Sequence, residues 1–234
     1  VLFSSTFNTK LVEDIYAALS KEMKERKSNV LLAPGMNIHR NPLCGRNFEY
    51  FSEDPLLTGK MGAAFVRGIQ SNGASACPKH FACNNQEYER IYLDSRLSER
   101  ALRQIYLKGF EICIKEAVPK NIMTSYNKIN GVWGHYQYDL CTTILRKEWG
   151  YKGNVMTDWW MRASKSPEFP NLRDQAYRVR AQVDLLMPGG EMKTGRKPDG
   201  TLLETYNKPD GITLGEIQRS AMNILRSIIE CKCY

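Results

Sequence analysis

The sequence predicts an α/β protein in which a parallel sheet is covered by helices. Helical periodicities alternate with short apolar runs along most of the 234 residues, which is typical of parallel strands joined by helical crossovers. The composition, 42% hydrophobic and 25% charged, is that of an ordinary globular domain. Two topologies fit this pattern, an open doubly wound sheet and a closed barrel. No glycine-rich fingerprint follows the first strand, so a dinucleotide site has no support.

Helices are expected where apolar residues recur at the spacing of a 3.6-residue turn. They span residues 9–27, 54–71, a stretch from 98 through 113, 140–149, part of 171–182, and 213–234. Asp54 followed by Pro55 predicts an N-cap and a first-turn proline. Thr213 and Glu216 match a capping box. The helix that starts at Ser98 is expected to bury one face, formed by Leu102, Ile105, Tyr106, Phe110 and Cys113.

Strands are expected in the short apolar runs between these helices. They cover residues 30–32, 74–80, 121–126, 153–158 and 183–188. Pro34 and Gly35 end the first run. The polar stretches after the first two strands, 36–54 and 81–97, show no clear periodicity and are expected to be loops.

Unusual polar residues follow successive predicted strands. Lys79 and His80 end the second strand, Tyr126 ends the third and Asp158 the fourth, while Arg46 lies in the loop after the first. In a barrel, functional groups belong at the carboxyl ends of several strands. Asp158 stands between an apolar run and two tryptophans, where loss of water is costly for a carboxylate. By itself it fits a helix N-cap or a surface turn as well as a chemical role.

Charge and cysteine content exclude several classes of function. The formal charge is +8, but basic residues stand beside acidic ones, as in residues 20–29, so nucleic-acid binding is not expected. No apolar run is long enough to cross a bilayer. The seven cysteines form no CxxC motif, which favours buried reduced thiols and a cytoplasmic location. Cys231 and Cys233 fit a frayed end better than a metal site, and the histidines lack ligand spacing, so no metal or cofactor is expected.

Four motifs carry a resemblance to a known family. They are LLAPGMNIHRNPLCGRNFEYFSEDPLLTGKMGAAFVRGIQ, PKHFACNNQEYER, MTSYNKINGV and GNVMTDWW. In this order, and nearly continuously from Phe3 to Pro188, the chain resembles a β-glucosidase of glycoside hydrolase family 3. The resemblance implies a TIM-like (β/α) barrel, expected to be incomplete because the family's barrel begins before Val1. Residues 1–192 would form this barrel, 193–212 a loop or linker, and 213–234 a terminal helix of the barrel domain.

The resemblance also implies roles for individual residues. The family's nucleophile is the aspartate of an SDW-like motif, and TDW supplies Asp158 here. Trp159, or its neighbour Trp160, would stack on a sugar face. The residues that would bind sugar hydroxyls are Arg46 from GRNFEY, Lys79 and His80 from KHF, Arg90 after NNQE, and Tyr126 from MTSYN.

Structural alternatives stand beside these roles. Arg46 and Arg90 could instead be ion-paired with Glu49 and Glu87, and Glu49 is interpreted as structural. A strand-end lysine commonly points to solvent, a lone histidine commonly satisfies a local hydrogen bond, and a tyrosine is commonly part of the core; these alternatives apply to Lys79, His80 and Tyr126.

The implied activity is that of a retaining exo-acting β-glycosidase that releases terminal β-linked glucose through a covalent glycosyl-aspartate. In the glucosidase branch the acid/base glutamate comes from a second, α/β sandwich domain, which the 234 residues do not include. In the N-acetylglucosaminidase branch a loop histidine serves instead, and ACNNQEYERIYLD has none. The alternative is a catalytically deficient fragment that binds sugar or is purely structural. An unrelated barrel enzyme is a third hypothesis. Specificities for glucose and for xylose share these motifs, so the motifs do not specify the sugar.

Overall fold

The structure is a computed structural model that describes residues 1–162, 164–167, 169–189 and 200–231. Its α-helices are α1 Thr9–Glu25, α2 Pro55–Gln70, α3 Glu99–Ala101, α4 Lys108–Ala117, α5 Asp174–Arg180, α6 Gly200–Thr205 and α7 Leu214–Glu230. Its strands are β1 Val30–Leu31, β2 Ser75–Ala76, β3 Asp94–Ser95, β4 Asn121–Met123, β5 Lys128–Ile129, β6 Val132–Trp133, β7 Asn154–Trp159 and β8 Leu185–Met187. The predicted alternation of strands and helices is confirmed.

The strands that position the site run parallel to one another. β1 pairs with β2, and β4, β7 and β8 form a second parallel group. Backbone hydrogen bonds join the groups, from Phe81 N–H to the Met123 carbonyl at 2.8 Å and from Met123 N–H to the Pro78 carbonyl at 3.0 Å. The order across the sheet is therefore β1, β2, β4, β7, β8. Within the described ranges β1 and β8 do not pair, so the sheet stays open.

Alternation along the strands separates two apolar layers. Ala76, Ile122 and Val155 belong to the main core together with the helices, and α2 packs against both α1 and α4. Cys77, Met123 and Met156, the next residues along, form a separate buried cluster. Because successive side chains point to opposite faces of a strand, this second cluster lies on the face away from the helices, inside the curve of the sheet.

Several of the predicted strands are shorter than expected; the run 183–188, for example, is regular only over β8. Residues 74–80 form a ladder only at β2, since Pro78 has no N–H to donate. The chain nevertheless stays parallel to its neighbour, because Lys79 N–H donates to the Pro34 carbonyl at 2.9 Å. The run 121–126 is regular only over β4 and continues as a single bridge between Phe81 and Thr124.

A small sheet formed by β3, β5 and β6 was not predicted. β5 and β6 are an antiparallel hairpin, and β3 pairs with β5 in parallel. The hairpin turns at Asn130 and Gly131, whose φ angles are 51° and 96°. Asn-Gly is a strong hairpin signal for this reason, so KINGVW, residues 128–133, carried information that the sequence prediction left unused. Only β3 falls in residues 81–97, which were expected to be a loop.

The helix that starts at Ser98 contains a π-helical turn over Leu102–Tyr106, between α3 and α4. The Ser98 hydroxyl caps α3 as predicted, accepting from Ala101 N–H at 3.2 Å. Because the π turn adds a residue to the helical repeat, the expected inner face is wrong at one position. Ile105 is 40% exposed, whereas Leu107 is fully buried. The predicted helix over 140–149 is likewise π-helical, at Asp139–Glu148.

The predicted loop or linker over 193–212 contains a helix, which corrects that expectation. Residues 193–199 lie outside the described residues, and α6 begins at 200. The Thr201 hydroxyl accepts from Gln175 N–H at 2.9 Å, at the start of α5. Two interactions therefore stabilise helical structure here: the hydrogen bond to the start of α5, and the packing of the apolar Leu202 on a buried cluster. The capping box at Thr213 is confirmed, and the end of the predicted helix, 232–234, lies outside the described residues.

The cysteines are buried. Cys44, Cys77, Cys83, Cys113 and Cys141 are free thiols. Cys231 is buried as well, with its Sγ 3.2 Å from the Asn29 carbonyl oxygen, and Cys233 lies outside the described residues. In the described part of the chain, no helix combines the length and apolarity that a membrane span requires.

Candidate active site

Asp158 lies at the carboxyl end of β7, where the pairing with β8 becomes irregular between Met156 and Trp159. Such irregularities are common beside functional sites because they redirect side chains. Asp158 is 7% exposed. Its Oδ1 accepts from Trp159 N–H at 2.8 Å, while its Oδ2 is buried and has no hydrogen-bond partner. One oxygen of this buried carboxylate therefore accepts a hydrogen bond. The other, called the open oxygen below, has no hydrogen-bond partner.

The environment of Asp158 contains opposing effects on its pKa. Burial raises the pKa above the usual range of an aspartate, and it is the largest effect. The hydrogen bond from Trp159 N–H, the Tyr126 hydroxyl and the charges of Arg90 and Arg46 each lower it. The cations thus oppose the cost of burying a carboxylate without cancelling it.

His80 stands beside this carboxylate and is 2% exposed. Burial first, and then the charges of Arg46, Lys79 and Arg90, place its pKa well below the usual value, so the ring is neutral. Arg46 Nη1 lies 2.8 Å from His80 Nε2. Since a guanidinium can only donate, Nε2 is the acceptor and the ring proton is on Nδ1.

This tautomer fixes the remaining contacts of the ring. Nδ1–H donates to the Tyr50 hydroxyl oxygen at 3.2 Å. His80 Nε2 is 3.6 Å from Asp158 Oδ2, but a neutral imidazole whose Nε2 carries a lone pair forms no ion pair with a carboxylate. The backbone on each side is held by the Asn37 amide, which accepts from His80 N–H at 3.0 Å and donates to the His80 carbonyl at 2.9 Å.

Glu49 holds two cations, Arg46 from the loop after β1 and Lys79 from the segment after β2. Arg46 Nε bonds to one of its carboxylate oxygens, and Lys79 Nζ lies 3.4 Å from the other. The ion pair of Arg46 with Glu49, an alternative considered from the sequence, is therefore present, yet Arg46 still reaches His80. Glu49 belongs to the site and is not merely a surface partner, because both cations that it holds are mostly buried, at 19% and 15% exposure.

Arg90 and Tyr126 are two further neighbours that act on Asp158. Arg90 Nη1 bonds to Glu87 Oε2 at 2.7 Å, which is the second ion pair considered from the sequence. The Arg90 guanidinium lies 4.6 Å from the centre of the Tyr126 ring. Burial and the Asp158 charge raise the pKa of Tyr126 to about 12, so its hydroxyl keeps its proton and can donate toward the carboxylate.

The two tryptophans differ. Trp159 packs against the inner cluster of Cys77, Met123 and Met156, so it forms part of the wall of the site. Trp160 is 63% exposed. The structure thus places Trp159 next to Asp158, and the proposed stacking on a sugar stays a prediction.

The structure brings the predicted site residues together at the carboxyl ends of the strands. The contacts described above connect each of them to the next. Sequence reasoning missed four further polar residues of this group, or interpreted them as structural: Glu49, Tyr50, Asn84 and Glu87. Glu49 and Glu87 each stand three residues from an arginine, and this spacing was a usable signal. Tyr50 and Asn84 carried none. In the described part of the chain, no three of the side chains His, Cys, Asp and Glu cluster as a metal site would require.

This arrangement presents one open carboxylate oxygen among several hydrogen-bond donors. Lys79, Arg46, Arg90 and Tyr126 all carry N–H or O–H groups, and charged donors form the stronger hydrogen bonds to hydroxyl-rich ligands. The neighbouring carboxylates of Glu49 and Glu87 are held in ion pairs. The geometry suits a small polyhydroxylated molecule with an electrophilic carbon presented to Asp158.

Residues 1–224 match the sequence model of the "Glycosyl hydrolase family 3 N terminal domain". A beta-glucosidase of Ruminococcus albus is 48% identical over 225 residues, which are 96% of this chain and 23% of that protein. An exo-alpha-(1->6)-L-arabinopyranosidase of Bifidobacterium longum is 49% identical over 156 residues, 67% of this chain and 21% of that protein. The chain spans about a quarter of the length of the curated relatives it matches.

A solved structure shows the same fold. Beta-glucosidase 3B from Thermotoga neapolitana, in complex with glucose, superimposes with a TM-score of 0.86 at 42% identity. The match covers 97% of this chain and 31% of that one. The expected TIM-like barrel is confirmed by this agreement, and the open sheet of the described residues represents such a barrel in incomplete form.

Proposed function

The chain belongs to glycosyl hydrolase family 3, and from this premise we propose that it is the nucleophile-bearing domain of a retaining, exo-acting β-glycosidase. The substrate class is a small oligosaccharide or glucoside with a terminal β-linked glucose. The observation that carries the proposal is Asp158 Oδ2, a buried carboxylate oxygen without a partner, in a group of hydrogen-bond donors. A carboxylate held only for stability would have both oxygens satisfied.

In the proposed reaction, Asp158 Oδ2 attacks the anomeric carbon and the bond from that carbon to the leaving oxygen breaks. The leaving oxygen takes a proton from a carboxylic acid, and a covalent glycosyl-aspartate remains. Water then attacks the same carbon, gives its proton to the carboxylate formed in the first step, and frees Asp158. The bond that Trp159 N–H makes to Oδ1 orients the nucleophile while leaving Oδ2 free to react.

The donors around the site would bind the sugar. Lys79 and Arg46, held by Glu49, present cationic donors to hydroxyl groups. Arg90 and Tyr126 oppose the rise in the pKa of Asp158 and so favour the ionised form of the nucleophile. Activity should therefore need Asp158 in its ionised form, and kcat/KM should fall as the pH drops through the raised pKa of this group.

The acid/base group is proposed to be a glutamate of a further α/β sandwich domain. Two observations motivate this: the nearby carboxylates Glu49 and Glu87 are already held by cations, and the relatives are about four times as long as this chain. The second candidate function is a barrel that binds sugar without hydrolysing it, favoured by the same lack of a free acid among the described residues around Asp158.

One experiment separates the two functions. The chain and the complete protein are each assayed with 2,4-dinitrophenyl β-glucoside, whose leaving group needs little acid help, and with 4-nitrophenyl β-glucoside, which needs more. The proposal predicts that the complete protein hydrolyses both and that the chain, if active, prefers the dinitrophenyl substrate strongly. Glucose binding without turnover of either substrate by the complete protein would support the sugar-binding alternative.

The same assay addresses the sugar. One relative is named for glucose and another for arabinopyranose, so 4-nitrophenyl β-glucoside, β-xyloside and α-L-arabinopyranoside should be compared in parallel. We expect the highest kcat/KM with the glucoside. A higher value with either of the others would revise the substrate and leave the reaction unchanged.

A further inference from the structure

The polar side chains around Asp158 fall into two connected groups. The first, here called the sugar-side group, consists of Arg46, Glu49, Tyr50, Lys79 and His80, joined by the bonds of Glu49 and of the imidazole. The second, the nucleophile-side group, consists of Glu87, Arg90, Tyr126 and Asp158, joined by an ion pair, a cation–π contact and the Tyr126 hydroxyl. Catalysis on a bound sugar requires that the two groups keep one fixed relative position.

Asn84 forms hydrogen bonds to both groups, which also approach each other where His80 Nε2 lies 3.6 Å from Asp158 Oδ2. Asn84 Nδ2 donates to the Tyr50 hydroxyl oxygen at 2.9 Å and to Glu87 Oε1 at 2.9 Å. The orientation of the amide is determined, because an ionised carboxylate can only accept and the Nδ2 end must face Glu87. Within residues 1–162, no other side chain forms hydrogen bonds to both groups.

We propose that Asn84 is a positioning residue that holds the sugar-side group and the nucleophile-side group in register for the reaction. On one side it holds Glu87, which fixes Arg90 at 2.7 Å, and Arg90 lies over Tyr126 next to Asp158. On the other side it holds Tyr50, whose oxygen also receives His80 Nδ1–H. This inference rests on the proposed function.

A role in packing alone accounts less well for this residue. Asn84 is 1% exposed, and its Oδ1 is buried without a hydrogen-bond partner. A buried amide with an unsatisfied oxygen is costly for folding. The two bonds of Nδ2 are what distinguish asparagine here from an apolar side chain of similar size.

The test uses Asn84→Asp in the complete protein. The change keeps the shape but places a carboxyl group 2.9 Å from the position of Glu87 Oε1. Two carboxylates so close cannot both ionise readily, and their shared proton has a raised pKa. At low pH the shared proton replaces the lost N–H donor. As the pH rises and the proton leaves, repulsion displaces Glu87 and releases Arg90.

Besides Arg90, which is ion-paired with it, the charged and titratable groups that face Glu87 are Arg46 and Tyr50. Neither changes its charge across the range of the experiment, since one is a guanidinium and burial raises the pKa of the other. The pH dependence of the variant relative to the wild type therefore reports the carboxyl pair.

We expect kcat/KM of Asn84→Asp on 4-nitrophenyl β-glucoside to be within about threefold of wild type at pH 4.5 and about 10-fold to 100-fold lower at pH 8, as misplacement of reacting groups predicts. The matched control is Asn41→Asp, which adds the same charge at an exposed position, where the side-chain oxygen accepts from Leu43 N–H at 2.9 Å. Its ratio to wild type should not vary with pH. A ratio for Asn84→Asp that is equally independent of pH would overturn the proposal.

Two further measurements keep the result decisive. If Asn84→Asp does not fold, Asn84→Ala removes both donors without adding charge, and values of kcat and KM within twofold of wild type would contradict the proposal. If the wild-type protein hydrolyses no glycoside, the proposed function fails, but the role of Asn84 is still tested by glucose affinity, which should weaken with rising pH in Asn84→Asp and not in Asn41→Asp.

Discussion

A buried aspartate lies at each end of strand β7, Asp158 within the strand and Asp184 beside its start. The two sites differ in how many hydrogen bonds the carboxylate accepts. Asp184, beside the start of β7, accepts from Arg146 at 2.5 Å and from Val155 N–H at 3.0 Å through Oδ2. Its Oδ1 accepts from Ser220 and Asn223, each at 3.1 Å. Asp158, at the other end, has one bonded oxygen and one open oxygen.

Burial alone does not distinguish these residues. They are 4% and 7% exposed, and burial raises the pKa of both. The difference lies in their partners. Asp184 binds α7 to the sheet with every acceptor used, as a structural carboxylate should, whereas Asp158 keeps an acceptor free at the carboxyl ends of the strands, where barrel enzymes place their reactive groups.

The largest effect is expected from Asp158→Asn. It should lower kcat of the complete protein on 4-nitrophenyl β-glucoside by at least about 10³-fold, because loss of a nucleophile removes the covalent route. Thermal stability should be unchanged or higher, since burial disfavours the ionised carboxylate that is removed. The control Asp54→Asn, which keeps an N-cap oxygen at the start of α2, should retain activity. Full turnover by Asp158→Asn would remove the assignment.

The same change from aspartate to asparagine at Asp184 should lower stability and leave the activity of folded molecules intact. Asp184→Asn leaves Arg146, which is 9% exposed, without its counter-ion, and breaking a buried pair costs about 3–5 kcal/mol. Urea unfolding should show this loss, while molecules that remain folded keep the KM of the wild type. Asp14→Asn, in an exposed pair with Lys10, is the control and should change stability by less than about 1 kcal/mol. Equal stability of the two variants would refute the structural role of Asp184.

A smaller effect is expected from Tyr126→Phe. The hydroxyl lowers the pKa of Asp158, so its removal should raise that pKa further. The acid limb of the kcat/KM profile should then move to higher pH, giving up to about a 10-fold loss on that limb. Tyr88, which is 80% exposed, supplies the control Tyr88→Phe. An acid limb that stays in place or moves to lower pH would contradict the account of Asp158.

The smallest effect is expected from Ser220→Ala, which removes one of the donors to Asp184. The loss should be about 1 kcal/mol, the contribution of an ordinary intramolecular hydrogen bond, because at 3.1 Å this bond is long for one to a carboxylate. No change in kcat/KM is expected. Ser5→Ala, at an exposed hydroxyl, should change the free energy of unfolding by less than about 0.5 kcal/mol. A change in activity without a change in stability would mean that the two ends of β7 are not separate in function.

Much of the fold was predictable because it depends on local patterns. The periodicity of α1 and α2, the caps at Asp54 and Thr213, and the apolar run of β7 all gave elements close to those observed. What failed depended on geometry that periodicity does not encode. The π turn at Leu102–Tyr106 shifted a helix face, and α6 is helical where it packs beside α5.

The candidate site was predictable to a different degree. Strand-end position and the family motifs brought Asp158 and the sugar-side cations to notice, and the structure places them together. The contacts that hold them in place were not predictable. Asn84 and Tyr50 act across 34 residues of sequence, and no local pattern records which distant groups an amide will join. The neutral tautomer of His80 likewise follows only from its three-dimensional partners.

The most direct test of the central claim is to trap the covalent intermediate. The complete protein is incubated with 2,4-dinitrophenyl 2-deoxy-2-fluoro-β-glucoside, digested, and mapped by mass spectrometry. The account predicts one fluoroglucosyl adduct, on Asp158 in the peptide that contains GNVMTDWW. A stable adduct on Glu49, Glu87 or any other residue, with Asp158 unmodified, would show that the open oxygen at the end of β7 is not the nucleophile.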